Sequence, residues 1–335
     1  MTKISIMATV ADVRCTPELI SSLREAGMDS VRINSAHVNP ESIKRMVSII
    51  RGVDPDIRIL MDTKGPEIRT TAPVESLDIT CGSRWIITSG TEPSSEGRIV
   101  VAVADIHKYL HQGLIVLVDD GALSFRINSV TDDGAEATAL LNGTLNARKT
   151  VAIPGIDLPP LPAVSERDHI NIIAAREAGI DMIAHSFVRD KADVEALRAE
   201  IEGTDIELYS KIECRQAMNN LDEIVEASDG LLVARGDLGT QMPITEIPTL
   251  QFQILKACHK ADKPAIVATQ MLNSMMSAPT PTRAEVSDIA LAVMEGASAL
   301  LLCGETAQGS YPSECVATMR ATIDATQQAG LCNIL

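Results

Sequence analysis

Two short strings, SKIE and ARGDLG, gather the residue types that transfer of a charged group needs. In SKIE, Lys211 and Glu213 stand two positions apart at the end of a β-branched run. On a strand, residues two apart face the same side, so a cation and a carboxylate are aimed at one spot. ARGDLG closes the next such run: Gly236 lets the backbone approach a ligand, and Asp237 stands at the opening of a short helical turn. On neighbouring strands, Glu213 and Asp237 can share one divalent ion. Paired hard carboxylates, with the other positions left to water and substrate oxygens, are how proteins hold Mg²⁺. A buried Lys–Glu pair that only fills an interior accounts equally well for SKIE alone, and less well once ARGDLG stands beside it.

MDTKGPEIR brings Asp62, Thr63, Lys64, Glu67 and Arg69 together with Gly65 and Pro66 directly after another run, a mixture that no structural turn needs. VRINSAHV places Arg32 and Asn34 on one strand face, with His37 in the loop beyond; alone, His37 is an ordinary loop histidine. Thr269, at the C-terminal end of the run that closes in ATQM, can offer a hydroxyl to a bound substrate; by itself it reads as an ordinary β-branched strand residue. Three other features carry less. GETAQGS has Ser310 where a P-loop requires Lys. His107 and His111 lack a third ligand, and Cys303 is flanked by apolar residues and reads as core.

The elements that must position these residues alternate. Strands are expected at Ile4–Ala8, Ser30–Asn34, Ile57–Asp62, Ile180–Ser186, Glu207–Ile212, Gly230–Ala234, Pro264–Thr269 and Ala299–Leu302. Helices are expected at Pro17–Ala26, Pro40–Ile50, Glu166–Ala178, Lys191–Glu202, Arg215–Ala227, Ile247–Ala261, Arg283–Met294 and Pro312–Gln328. Such alternation implies an α/β fold of the (β/α)₈ TIM barrel type, whose strand C-terminal ends carry the active site. Residues 71–155 break the rhythm. WIITSG, GRIVVAVAD and LIVLVDDGALSFRINSV read as strands divided by turns, so a small all-β lid domain is expected after the third strand, within a barrel of residues 1–70 and 156–335.

At 335 residues the chain has room for about two domains. Acidic residues exceed basic ones, 45 to 29, and no Lys/Arg cluster is built to neutralise a phosphate backbone, which argues against nucleic acid. No apolar run is long enough to span a bilayer. Seven scattered cysteines without a CxxC pair argue against a disulfide framework or a zinc site, and with no signal sequence the expected location is cytoplasmic.

Taken together, MDTKGPEIRT, VDDG, LPAVSERD, SFVR, SKIE, LVARGDLG, ATQMLNSM, PTRAEVSD and GETAQGSYP resemble the pyruvate kinase family, in that family's order and over nearly the whole chain. The resemblance implies a glycolytic phosphotransferase that moves the phosphoryl group of phosphoenolpyruvate to ADP, with Mg²⁺ or Mn²⁺ and K⁺ as cofactors. Lys211 would neutralise the phosphoryl group in flight, Arg32 would bind phosphate oxygens, and Thr269 would sit beside the carbon that gains a proton. Glu213 and Asp237 would hold the divalent ion, and the backbone around Gly236 and Asp237 the substrate carboxylate. Asn34, Asp62 and Thr63 would form the monovalent site, with Glu67 matching potassium-dependent members. Arg69, His37, Asn34, Lys149 and Asp119 would contact nucleotide.

Three departures accompany the likeness. ATVADV stands where the family has TxGPAS, and Ala36 replaces a serine ligand of the monovalent cation. The chain stops at Leu335, which implies a form without the C-terminal regulatory domain, hyperbolic kinetics, and an exposed barrel face open to homo-oligomer formation. An aldolase or lyase working on a pyruvate enolate, or a non-catalytic paralogue that binds phosphoenolpyruvate, are the competing readings.

Overall fold

In the computed structural model, which describes residues 3–157 and 161–332, eight short parallel strands close into a barrel. They are Ser5–Thr9, Ser30–Asn34, Arg58–Asp62, Met182–His185, Glu207–Ile212, Gly230–Ala234, Ala265–Ala268 and Ala299–Leu302, with the last pairing the first, Ala299 beside Ser5. Every strand expected from the sequence is present, with ends shifted by a residue or two at most. The strands are runs of Ile, Val, Leu, Ala and Met because a parallel sheet is buried on both faces. Inside the barrel, Leu60, Met182 and Tyr209 belong to one packed layer. Gly230 makes room for the largest of them: a Cβ on it would lie 2.4 Å from the Tyr209 ring.

The outer helices start at local stop-and-start signals. Thr16, Asn39, Ser165, Asp190 and Thr282 cap helix N-termini with their side chains, and Ser165 and Thr282 do so in full capping boxes with Asp168 and Glu285. One expectation needs correction: Arg215–Ala227 is two helices, Arg215–Asn219 and Leu221–Ala227. The break is at Asn220, whose side-chain amide donates to the Arg189 carbonyl at 2.9 Å, a tertiary bond that periodicity does not reveal. The short helical turn expected at Asp237 is the helix Arg235–Gln241 after the sixth barrel strand, whereas the short helix Gly304–Ala307 after the eighth was not foreseen.

The chain forms two compact units, one of residues 1–65, 162–236 and 247–335 containing the barrel, the other of residues 66–161 and 237–246. The second unit follows the third barrel strand and is all-β in its main part. A six-stranded sheet runs in the order Val151–Ala152, Ile115–Val118, Leu123–Thr131, Gly134–Ala139, Arg84–Ser89, Arg98–Val101, and a separate pair joins Leu77–Ile79 to Gly143–Leu145. Its own apolar core includes Trp85 and Phe125, edge to face with ring centroids 6.4 Å apart. His107 lies in a 3₁₀ turn, Ile106–Tyr109, and His111 beyond it, so the two do not share a helix face. Among the described residues no helix is long and apolar enough to cross a membrane, and all seven cysteines are free.

Candidate active site

Strand alternation carries the barrel interior upward into a charged layer. Two positions beyond Leu60 and Tyr209 come Asp62 and Lys211, and two beyond Lys211 comes Glu213. All three are nearly sealed: Asp62 is 1% exposed, Lys211 8% and Glu213 0%. The ammonium of Lys211 lies 2.8 Å from Glu213 Oε1 and 3.2 Å from Asp62 Oδ1. From the second strand, Arg32 donates through Nε to Asp62 Oδ2 at 2.9 Å, closes a second contact through Nη2, and reaches Thr9 Oγ1 at 3.2 Å through Nη1. Two cations and two carboxylates thus share one largely buried cluster, and their charges cancel.

Such a cluster survives burial only when each member is paired. Burial alone would push the Asp62 carboxyl up. Lys211 first and Arg32 second outweigh it, and the group is held below the ordinary carboxylate range. For Arg32, burial works against the charged form and Asp62 more than restores it. Cys303 was expected in the core but is only partly buried, packed against the barrel's apolar layer; desolvation still raises its thiol above the usual range despite Arg32 nearby.

The cluster depends on residues that the sequence reading did not single out. The Ser186 hydroxyl accepts from Lys211 Nζ at 2.8 Å and lies 2.6 Å from the Thr63 carbonyl and 3.0 Å from Asp62 Oδ1, while its N–H donates to Thr63 Oγ1 at 3.0 Å. Phe187, at φ 56°, donates its N–H to Glu213 Oε2 at 2.6 Å. Asp168, the N3 residue of its helix, accepts from the N–H groups of Lys64 at 2.8 Å and Gly65 at 3.1 Å, and so ties down the loop after the third strand. Gly65 has φ 68°, and a Cβ on it would meet Ser186 at 2.8 Å. Serine directly past a strand end, in phase with the interior residue two before it, was the available signal for Ser186.

The other candidates sit as follows. Asn34 pairs in register with Asp62, and its Oδ1 accepts from the Ala36 N–H at 3.1 Å. His37 is the exposed last residue of the 3₁₀ turn Ser35–His37, whose first residue, Ser35, is buried. Gly236 packs against Thr269, since a Cβ on Gly236 would come within 2.8 Å of Thr269 Cγ2. Asp237 lies in the helix Arg235–Gln241, where its carbonyl accepts from the Thr240 hydroxyl at 2.8 Å. In the second unit, Lys149 pairs with Asp119 at 2.9 Å, and Arg69 pairs with Glu67 at 2.7 Å and donates to the Arg148 carbonyl. The Thr70 N–H donates to the Lys149 carbonyl at 2.8 Å, which brings Arg69, Lys149 and Asp119 into one neighbourhood.

Among the described residues no group of three or more His, Cys, Asp or Glu side chains converges. The donors that do face the cluster are carboxylate, hydroxyl and amide oxygens. That set suits a hard cation completed by water and substrate oxygens and does not suit a soft one.

Comparison with known proteins agrees with this chemistry. The family model described as "Pyruvate kinase, barrel domain" matches residues 1–316. The pyruvate kinase of Bacillus licheniformis is 39% identical over 339 residues, covering 98% of this chain and 58% of that protein. That of Geobacillus stearothermophilus is 39% identical over 337 residues, covering 98% and 57%. That of Kluyveromyces lactis is 38% identical over 338 residues, covering 97% and 67%. The chain thus spans 57–58% of the length of the two bacterial relatives.

Proposed function

Because the chain belongs to the pyruvate kinase family, we propose that it transfers the phosphoryl group of phosphoenolpyruvate to ADP, giving pyruvate and ATP. The observation that carries this reading is the buried quartet of Arg32, Asp62, Lys211 and Glu213, two of whose members are cations held at the mouth of the barrel by carboxylates 2.8–3.2 Å away. Phosphoryl transfer needs positioning and charge stabilisation more than covalent chemistry. Lys211 and Arg32 supply preorganised positive charge in a site shielded from water, where it is worth most. The ammonium is already anchored on Ser186, so it need not reorganise as charge moves across the transferring oxygens.

Glu213 and Asp237 are the assigned ligands of Mg²⁺ or Mn²⁺, which when bound would stabilise the enolate oxygen. Gly236 and Asp237 offer backbone N–H groups to the substrate carboxylate, and Thr269 a hydroxyl beside the carbon that is protonated. Asn34, Asp62 and Thr63 are assigned to K⁺; with Ala36 in place of a hydroxyl, we expect that requirement to be weak. For the nucleotide we assign Arg69, Asp119 and Lys149 in the second unit. A cytoplasmic location fits the free cysteines.

The test is pyruvate formation from phosphoenolpyruvate with and without ADP, each with and without Mg²⁺ and K⁺. Strictly ADP-dependent, Mg²⁺-dependent turnover is expected. Cleavage of 2-keto acids with no ADP-dependent turnover would select the lyase reading instead.

A further inference from the structure

Thr269 and Gln270 follow the seventh barrel strand with φ of 77° and 56°. For a β-branched residue that left-handed backbone is an outlier, and it persists only where the surroundings over-determine it. Here one arginine does so. Arg235 donates through Nε to the Ala268 carbonyl at 3.2 Å and through Nη2 to the Thr269 carbonyl at 2.7 Å, holding both carbonyls that flank the inverted peptide. Its Nη1 is fixed from behind by Asp288 Oδ1 at 2.8 Å and by Gln251 Oε1 at 3.4 Å, and Gln251 in turn donates to the buried Glu295 at 2.7 Å. The next residue, Gly236, abuts the Thr269 methyl so closely that a side chain there would displace it. The Arg235–Gly236 step therefore grips Thr269 by its carbonyl and by its methyl, and fixes the direction left to the hydroxyl.

Resting on the functional reading above, we infer that Arg235 is a positioning residue for the protonation step: it holds Thr269 in the left-handed conformation from which its hydroxyl serves the carbon, without itself contacting substrate. A lysine cannot reproduce the fork, since one ammonium does not bridge two carbonyls and a carboxylate in these directions.

The experiment compares Arg235→Lys with the wild-type chain by the rate of enzyme-catalysed solvent-deuterium exchange into the methyl carbon of added pyruvate, by KM for phosphoenolpyruvate, and by amide hydrogen exchange. Deuterium incorporation should fall about 10²-fold while KM moves less than about threefold. The amides of Met271 and Leu272 should exchange faster, with the barrel strands unchanged. In a Thr269→Gly background, where neither strain nor hydroxyl remains, Arg235→Lys should cost less than about twofold further. Asp288→Asn, which loosens Arg235 without touching Thr269, should show a smaller loss of the same pattern and carries the test if Arg235→Lys does not fold. Equal losses in both backgrounds, or unaltered exchange at 271–272, would overturn the inference. If the wild-type chain turns over no phosphoenolpyruvate, the functional reading fails, and amide exchange at 271–272 still decides whether Arg235 holds the turn.

Discussion

Lys211 is held by three partners before any substrate arrives, so its worth lies in charge placed ahead of need. Lys211→Met is expected to keep phosphoenolpyruvate binding within a few fold while lowering kcat by about 10³-fold, as loss of a preorganised electrostatic group does; isothermal titration alongside steady-state kinetics checks the split. Asp62 has the opposite character, because removing its charge strands two buried cations. Asp62→Asn should lower unfolding stability by about 3–5 kcal/mol at neutral pH, read by denaturant titration. The sign of its pH dependence follows from the depressed folded pKa. Stability from the ionised Asp62 is complete above the ordinary carboxylate range and drains away as pH falls through the lower folded value. The gap between wild type and Asp62→Asn should therefore hold constant from pH 8 down and begin to close only below about pH 4. A gap that closed already near pH 6 would contradict the coupling to Lys211 and Arg32.

The loop after the third strand and the helix beginning at Glu166 act as one device, because Asp168 caps its own helix and accepts from Lys64 and Gly65. Asp168→Ala should cost about 2–3 kcal/mol, more than an exposed cap, since buried N–H groups lose their acceptor. Far-UV circular dichroism melts would show it, and a loss under about 0.5 kcal/mol would count against this role. This is the scale at which the sequence was most and least informative. The barrel strands were legible because short apolar runs of four to six residues alternate with stretches of helical periodicity. Lys211, Glu213, Asp62 and Arg32 were legible because alternation along such a run decides which side chains meet. Ser186, Asp168 and the bracing of Thr269 by Arg235 were not, because each depends on contacts between elements far apart in sequence. Asn220 breaks a helical stretch of favourable periodicity for the same reason.

At the scale of the whole molecule, the two units differ in what fills them. The barrel interior is stocked with Met, Ala, Leu and Ile around a single tyrosine, whereas the second unit builds its core on the chain's one tryptophan, Trp85, 4% exposed and stacked edge to face on Phe125. Phe125→Leu should lower the stability of that unit by about 1–3 kcal/mol, with the barrel's ellipticity transition left where it was. The chain's one tryptophan therefore reports on the second unit alone. Its emission becomes a selective gauge of the inserted sheet, so a titration followed by tryptophan emission and by ellipticity separates the melting of each part without any label.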